Sequence, residues 1–127
     1  MIEVETQNAE RLRQLALQCV RTHELEEALA LYDQATAAAV DNDELRELIT
    51  INKADVLITL QRSGPEVAEL ARVVMRRRNP RHVCLAAYAL LYKHRMEQDY
   101  RRALFYGQLA LRAAEEFGDR EYQRAVL

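Results

Sequence analysis

The side chains in this chain best suited to catalysis or metal binding are three histidines, His23, His82 and His94, and two cysteines, Cys19 and Cys84. Their spacing suits neither task. His23 falls in a turn between helical runs, His82 near a helix start and His94 late in a helix. His94 and Cys84 are ten residues apart, which does not bring them to one face of a helix. There is no CxxC pair and no His/Cys cluster to hold a metal. No Ser or Cys has a recognisable nucleophile context, and Gly64, Gly107 and Gly118 are isolated, so no glycine-rich loop cradles phosphate. The carboxylate pairs Glu26-Glu27 and Glu115-Glu116 are adjacent and diverge around a helix, which suits solvated charge rather than acid–base work. The expectation is a protein that is not an enzyme, with no catalytic residues, no cofactor and no metal.

Two other groupings carry chemical information. Arg76, Arg77, Arg78 and Arg81, with Arg72 one turn earlier, form a basic cluster around a helix end. Such a cluster interacts favourably with the negative helix terminus. Its functional reading is an anion or nucleic-acid patch, but no aromatic residues are interleaved with the arginines, so nucleic acid is the less favoured partner. The second grouping is charge at large scale. Residues 1–63 hold six basic and twelve acidic side chains, and residues 64–127 hold twelve basic and eight acidic. The first half is net negative and the second net positive, a split that can orient copies or partners.

These residues need elements to position them. Half of the 127 residues are hydrophobic, only three are Gly and two Pro, and Trp is absent. That composition excludes disorder and predicts one folded helical domain over 1–127 with an aliphatic core. Cys19 and Cys84 lie in apolar helical runs and are expected to be buried, reduced thiols. Met1-Ile2-Glu3-Val4-Glu5 does not read as a signal peptide, and no apolar run reaches the roughly 20 residues of a membrane span. The default is therefore a cytoplasmic location with no membrane partner.

The apolar spacing predicts six helices and a short seventh. The first runs from near Gln7 to Arg21, with Leu12, Leu15, Ala16, Cys19 and Val20 on its apolar side. Thr22-His23-Glu24 turns into a second, from Leu25 to about Val40. On it Ala28, Tyr32 and Ala35, at i, i+4 and i+7, share one face. Asp41, with Glu44 three residues on, is expected to cap a third helix ending near Arg62. That helix is apolar around most of its circumference and should be sandwiched centrally. Ser63-Gly64-Pro65 is the strongest break, and Pro65 opens a fourth helix ending in Arg76-Arg77-Arg78. Asn79-Pro80 starts a fifth, to about Glu97, and Asp99 starts a sixth, to about Phe117. Residues 119–127 form the short last helix. Every connection is short, so the fold class is all-α, in consecutive antiparallel hairpins.

This pattern resembles the tetratricopeptide repeat family, whose repeat of about 34 residues carries a loose Trp, Leu-Gly, Tyr, Ala, aromatic, Ala and Pro signature. Three repeats, about 9–42, 47–80 and 84–117, cover nearly the whole chain. In the first, Leu12 stands at the Trp position, Leu15-Ala16 at the Leu-Gly pair, and Ala28, Tyr32 and Ala35 at the second-helix positions. In the second, Asn52-Lys53-Ala54 and Leu57 resemble the first-helix pattern, Ala68 the second-helix Ala, and Asn79-Pro80 the closing proline. In the third, Leu90-Leu91, Ala103 and Ala110 match, while Gly107 stands where an aromatic is usual. A generic helical bundle is the alternative fold, and HEAT or armadillo arrays fit less well because their repeats are longer.

The resemblance implies a right-handed superhelix of stacked hairpins, and a protein-interaction module whose first helices line a concave, peptide-binding groove. Carried across residue by residue, the groove takes Glu10, Arg13, Gln14, Leu17, Val20 and Arg21 from the first helix. It takes Leu48, Ile51, Asn52, Asp55, Ile58 and Thr59 from the third, and Leu85, Tyr88, Ala89, Tyr92, Arg95 and Met96 from the fifth. In chaperone-binding members a clamp holds a terminal carboxylate. Here Arg13 and Asn52 stand at two of its positions, but Leu17, Leu85 and Ala89 occupy others, so a chaperone tail is not the expected ligand. A protein or peptide partner is. Stacked hairpins also leave open ends, and the apolar Ala125-Val126-Leu127 predicts a homodimer, or a segment of a longer protein.

Overall fold

The computed structural model describes residues 2–117, and the expected last helix with Ala125, Val126 and Leu127 lies outside them. Six α-helices make up the described chain: α1 (Ile2–Arg21), α2 (Leu25–Ala38), α3 (Asp43–Thr59), α4 (Pro65–Arg76), α5 (Pro80–Met96) and α6 (Tyr100–Phe117). Among the described residues there is no strand, and the fold class is all-α. The chain divides into two compact units, Met1–Glu66 and Val67–Leu127. In the first, α1 pairs with α2 and α2 packs on α3. In the second, α5 pairs closely with α6.

Helix starts follow from capping chemistry. The Asn79 side chain accepts from the Arg81 N–H at 2.9 Å with Pro80 in the first turn, and Asp99 accepts from the Arg102 N–H at 3.2 Å. At α3 the cap is Asn42, accepting from the Leu45 N–H at 3.0 Å, and not Asp41 as the sequence suggested. Asp41 has φ of 57°. That left-handed backbone belongs to the exit from α2, whereas an N-cap residue needs an extended one.

The helix ends share a device. His23, Gln61 and Gln98 all have positive φ, and lie 38 and then 37 residues apart. Each sits in the same pair of bonds. After α1, the Glu24 N–H reaches the Cys19 carbonyl (2.8 Å) and the His23 N–H reaches Val20 (3.1 Å). After α3, the Arg62 N–H reaches Leu57 and that of Gln61 reaches Ile58; after α5, Asp99 reaches His94 and Gln98 reaches Arg95. This is a left-handed helix stop that satisfies two orphan carbonyls, made three times without glycine. The same backbone at Asp41 and Arg77 ends α2 and α4. These stops close α2, α3 and α4 two or three residues earlier than the apolar spacing alone suggests. At the other end α1 begins at Ile2, one turn and more before Gln7.

Small residues let the helices meet. Ala28, Tyr32 and Ala35 on α2 are all buried, as are Ala103, Gly107 and Ala110 on α6. The middle position differs. In the first unit the second helix supplies the bulk, Tyr32, and α1 is thin at Ala16. In the second unit α6 is thin at Gly107, where a Cβ would stand 2.8 Å from Leu91 Cδ1. The bulk there comes from α5. Two expected core positions are wrong. Ala68 is exposed, and the buried row of α4 is Val67, Leu70, Val73 and Val74, because the longer Ser63–Pro65 turn shifts the register by one residue. Leu15 is also exposed, while Ala9 and Ala16 carry the buried side of α1. The α3 helix buries Ile49, Ile51, Ala54, Val56, Leu57 and Ile58, which is burial around most of its circumference.

Candidate functional site

The expected groove residues fall into two sets, one in each unit, and three of them are not on a surface. Ile51, Ile58 and Ala89 are buried. The cause is the near all-round apolar character of α3, and on α5 a run of buried small residues, Ala86, Ala87 and Ala89. They are core, and are withdrawn from the binding surface.

In the first unit the accessible set is polar and already self-satisfied. Arg13 lies on α1 with its side chain 12% exposed. It donates to both Glu10 oxygens, at 2.6 and 2.9 Å, and to Asn52 Oδ1 on α3 at 3.0 Å. Gln14 donates to the same Glu10 carboxylate at 3.0 Å. The Glu10 bond holds Arg13 protonated above its ordinary range despite the opposing cost of burial. A guanidinium bound to a carboxylate and an amide has little left for a ligand's carboxylate. Arg13 and Asn52 are thus brought together, but as a strut between α1 and α3. Leu17 and Val20 stay half-buried and Asp55 reaches the surface. Crowding strips enough water from Asp55 to push its carboxyl above the usual range. Tyr32 lies in the field of Arg13 and Asp55, and burial pushes its phenol up to about 12. A second strut, Lys53, meets Asp33 at 2.7 Å and Glu66 at 3.1 Å. Burial lowers the Lys53 ammonium, but the two carboxylates outweigh it and leave it raised.

In the second unit α5 presents Tyr88, Tyr92 and Arg95 at i, i+4 and i+7, on one helix face. Tyr88 is 36% exposed, Tyr92 is half-buried and Arg95 is exposed. The Arg95 guanidinium stands 5.5 Å from the centroid of Tyr92, a cation–π contact that orients both. Leu85, half-buried, and Met96, exposed, extend the face toward either end. Away from it, His94 stacks on Tyr106 at 5.5 Å with ring planes 9° apart, and Phe105 meets Tyr106 edge-on at 5.2 Å.

The basic cluster is partly consumed. Glu69 accepts from Arg72 at 2.9 Å and from Arg76 at 2.8 Å, and these bonds hold its carboxyl below the usual range. Arg77, Arg78 and Arg81 are exposed. A hollow of about 100 Å³ in this unit is lined by Val74, Val83 and Leu109 together with Arg77, Arg112 and Glu116. It is far smaller than the roughly 300 Å³ at which small-molecule sites begin.

One grouping is invisible in the sequence. Cys19, Glu24 and Glu27 bring a thiol and two carboxylates within 4.8 Å of one another. Sequence spacing hides it because the turn at His23 folds Glu24 and Glu27 back beside α1. Desolvation, then Glu27 and Glu24, raise the Cys19 thiol above its ordinary range. Cys19 and Cys84 are free thiols, Cys84 fully buried. Among the described residues no helix is long and apolar enough to cross a membrane. Comparison of the chain with protein-family models, curated proteins and solved structures found no match.

Proposed function

We propose that this chain is a non-enzymatic protein-interaction module of the tetratricopeptide kind, which takes a peptide or helix on the α5 face bearing Tyr88, Tyr92 and Arg95. The observation that carries the reading is that these three side chains share one helix face outside the core, with Arg95 set over Tyr92. Aromatic and arginine side chains are the residues on which binding energy concentrates at protein interfaces. The partner segment this chemistry fits offers apolar side chains to the two tyrosines and a carboxylate to Arg95. The repeat reading is supported by the stops at His23, Gln61 and Gln98, which recur at nearly constant intervals. Free Cys19 and Cys84 fit a reducing, cytoplasmic setting. The arginine cluster supports nucleic-acid binding less well, because Glu69 neutralises part of it.

The test is a selection of peptides from a random display library, followed by calorimetric titration of the best binder. Wild type is expected to bind it at least tenfold more tightly than Tyr88→Ala/Tyr92→Ala or Arg95→Glu, with far-UV circular dichroism unchanged. Equal affinities would remove the α5 face from the account.

A further inference from the structure

The α6 helix is two-sided. Ala103, Gly107, Ala110, Ala113 and Ala114 are buried, and all five are small. Away from that row Leu104 is 64% and Phe105 56% exposed. Scattered exposed apolar residues are ordinary, but Leu104 and Phe105 are adjacent and both lie outside the buried row.

The row through that side reads Arg101, Leu104, Gln108, Leu111, Glu115, at alternating spacings of three and four. All five lie within one stripe of a helix at 3.6 residues per turn. Leu111 is half-buried and the other four are exposed. The spacing is that of a seam for a partner helix. The charges say which partner. Arg101 and Glu115 each stand seven residues from Gln108, or roughly 10 Å along the axis, and they are opposite in sign. Turned end for end, the row presents minus where it had plus. It is complementary to itself.

We propose that α6 is a self-association surface, on which a second copy of this chain packs its own α6 antiparallel about a two-fold axis near Gln108. Arg101 of each copy then faces Glu115 of the other, at both ends of the contact. A parallel pairing sets arginine against arginine and glutamate against glutamate, so the charges select the antiparallel one. Leu104 is covered from both sides. Arg112, four residues from Gln108 as Leu104 is, lays its aliphatic stem over the second copy's Leu104. Gln108 carries both a donor and an acceptor, so it can bond its own symmetry mate on the axis. Arg102 stays outside the seam, held 3.4 Å from Asp99. Such an isologous contact is the commonest form of closed assembly. It leaves the α5 face of Tyr88, Tyr92 and Arg95 out of the contact, so it stands or falls separately from the function proposed above.

Sedimentation velocity over a concentration series at low salt tests it. Wild type is expected to dimerise. Arg101→Glu and Glu115→Arg should each weaken the dimer at least tenfold, and the double reversal should restore it. Leu104→Asp should give a monomer with unchanged circular dichroism, since Leu104 is outside the core. In a Cys19→Ser background, Gln108→Cys should form an intermolecular disulfide on oxidation, and Gln98→Cys should not. A monomeric wild type at the highest concentration would overturn the proposal. So would a dimer indifferent to Leu104→Asp, or a double reversal that fails to restore association.

Discussion

Removing one oxygen from Tyr32 should change how the protein responds to alkali. Tyr32 is 1% exposed, and burial, partly offset by Arg13, pushes its phenol from 10.0 up to about 12. In the unfolded chain the phenol is hydrated and titrates near its ordinary value. As pH rises past 10 the unfolded chain sheds this proton while the folded chain keeps it, so unfolding is favoured. The contribution is fully present below pH 10 and is lost as pH rises through the window from 10 to about 12. At about 1.4 kcal/mol per pH unit, wild type loses on the order of 1 kcal/mol by pH 11 and a few kcal/mol over the whole window. Tyr32→Phe has no such proton and should lack this component. Urea unfolding followed by circular dichroism, from pH 8 to pH 11, gives the difference between the two slopes. Because Trp is absent, tyrosinate absorbance reads the phenols directly in the same samples. Parallel loss of stability in wild type and Tyr32→Phe would refute the burial argument.

Three further outcomes follow from the packing and charge described above. Gly107→Leu should overpack against Leu91 and cost roughly 1–3 kcal/mol, and Leu91→Ala should recover part of that loss, so that a double-mutant cycle shows coupling. Ala28→Leu and Ala103→Leu, at buried helix contacts, should each cost roughly 1–3 kcal/mol in denaturant titrations, and unchanged midpoints in both would mean the register is wrong. Burial, then Lys93, lowers the His94 imidazole below 6.5, so stability should fall as pH drops through 6.5 because the unfolded chain takes up the proton first. His94→Gln should flatten that acid limb in melts at pH 7 and pH 5.

The helix starts were legible where one residue type does one job. Asn79-Pro80, Pro65 and Asp99 each open a helix as their chemistry requires, and the buried Ala28, Tyr32 and Ala35 follow from spacing alone. Other features depend on tertiary context. A left-handed residue at Asp41, Gln61 or Arg77 has no glycine to announce it, so the ends of α2, α3 and α4 read too long. Asn42 and Asp41 are equally good caps by type, and only the backbone of Asp41 decides between them. Ala68 was misplaced because the extra turn residues before Pro65 rotate α4 by one position. Of the candidate surface, Tyr88, Tyr92 and Arg95 were implied by the family resemblance, and their i, i+4, i+7 spacing agrees with a shared helix face. The burial of Ile51, Ile58 and Ala89 was not legible, because α3 is apolar on nearly every side and spacing alone offers no way to tell its core from its surface. The union of Cys19 with Glu24 and Glu27 depends on how sharply the turn closes, which residue spacing does not encode.

The most direct test of the proposed interaction face is a heteronuclear NMR titration of labelled protein with a selected peptide. The expected result is that amide shifts concentrate on α5 around Tyr88, Tyr92 and Arg95, and vanish in Tyr88→Ala/Tyr92→Ala. Shifts centred on Arg77, Arg78 and Arg81, with α5 unmoved, would contradict the account.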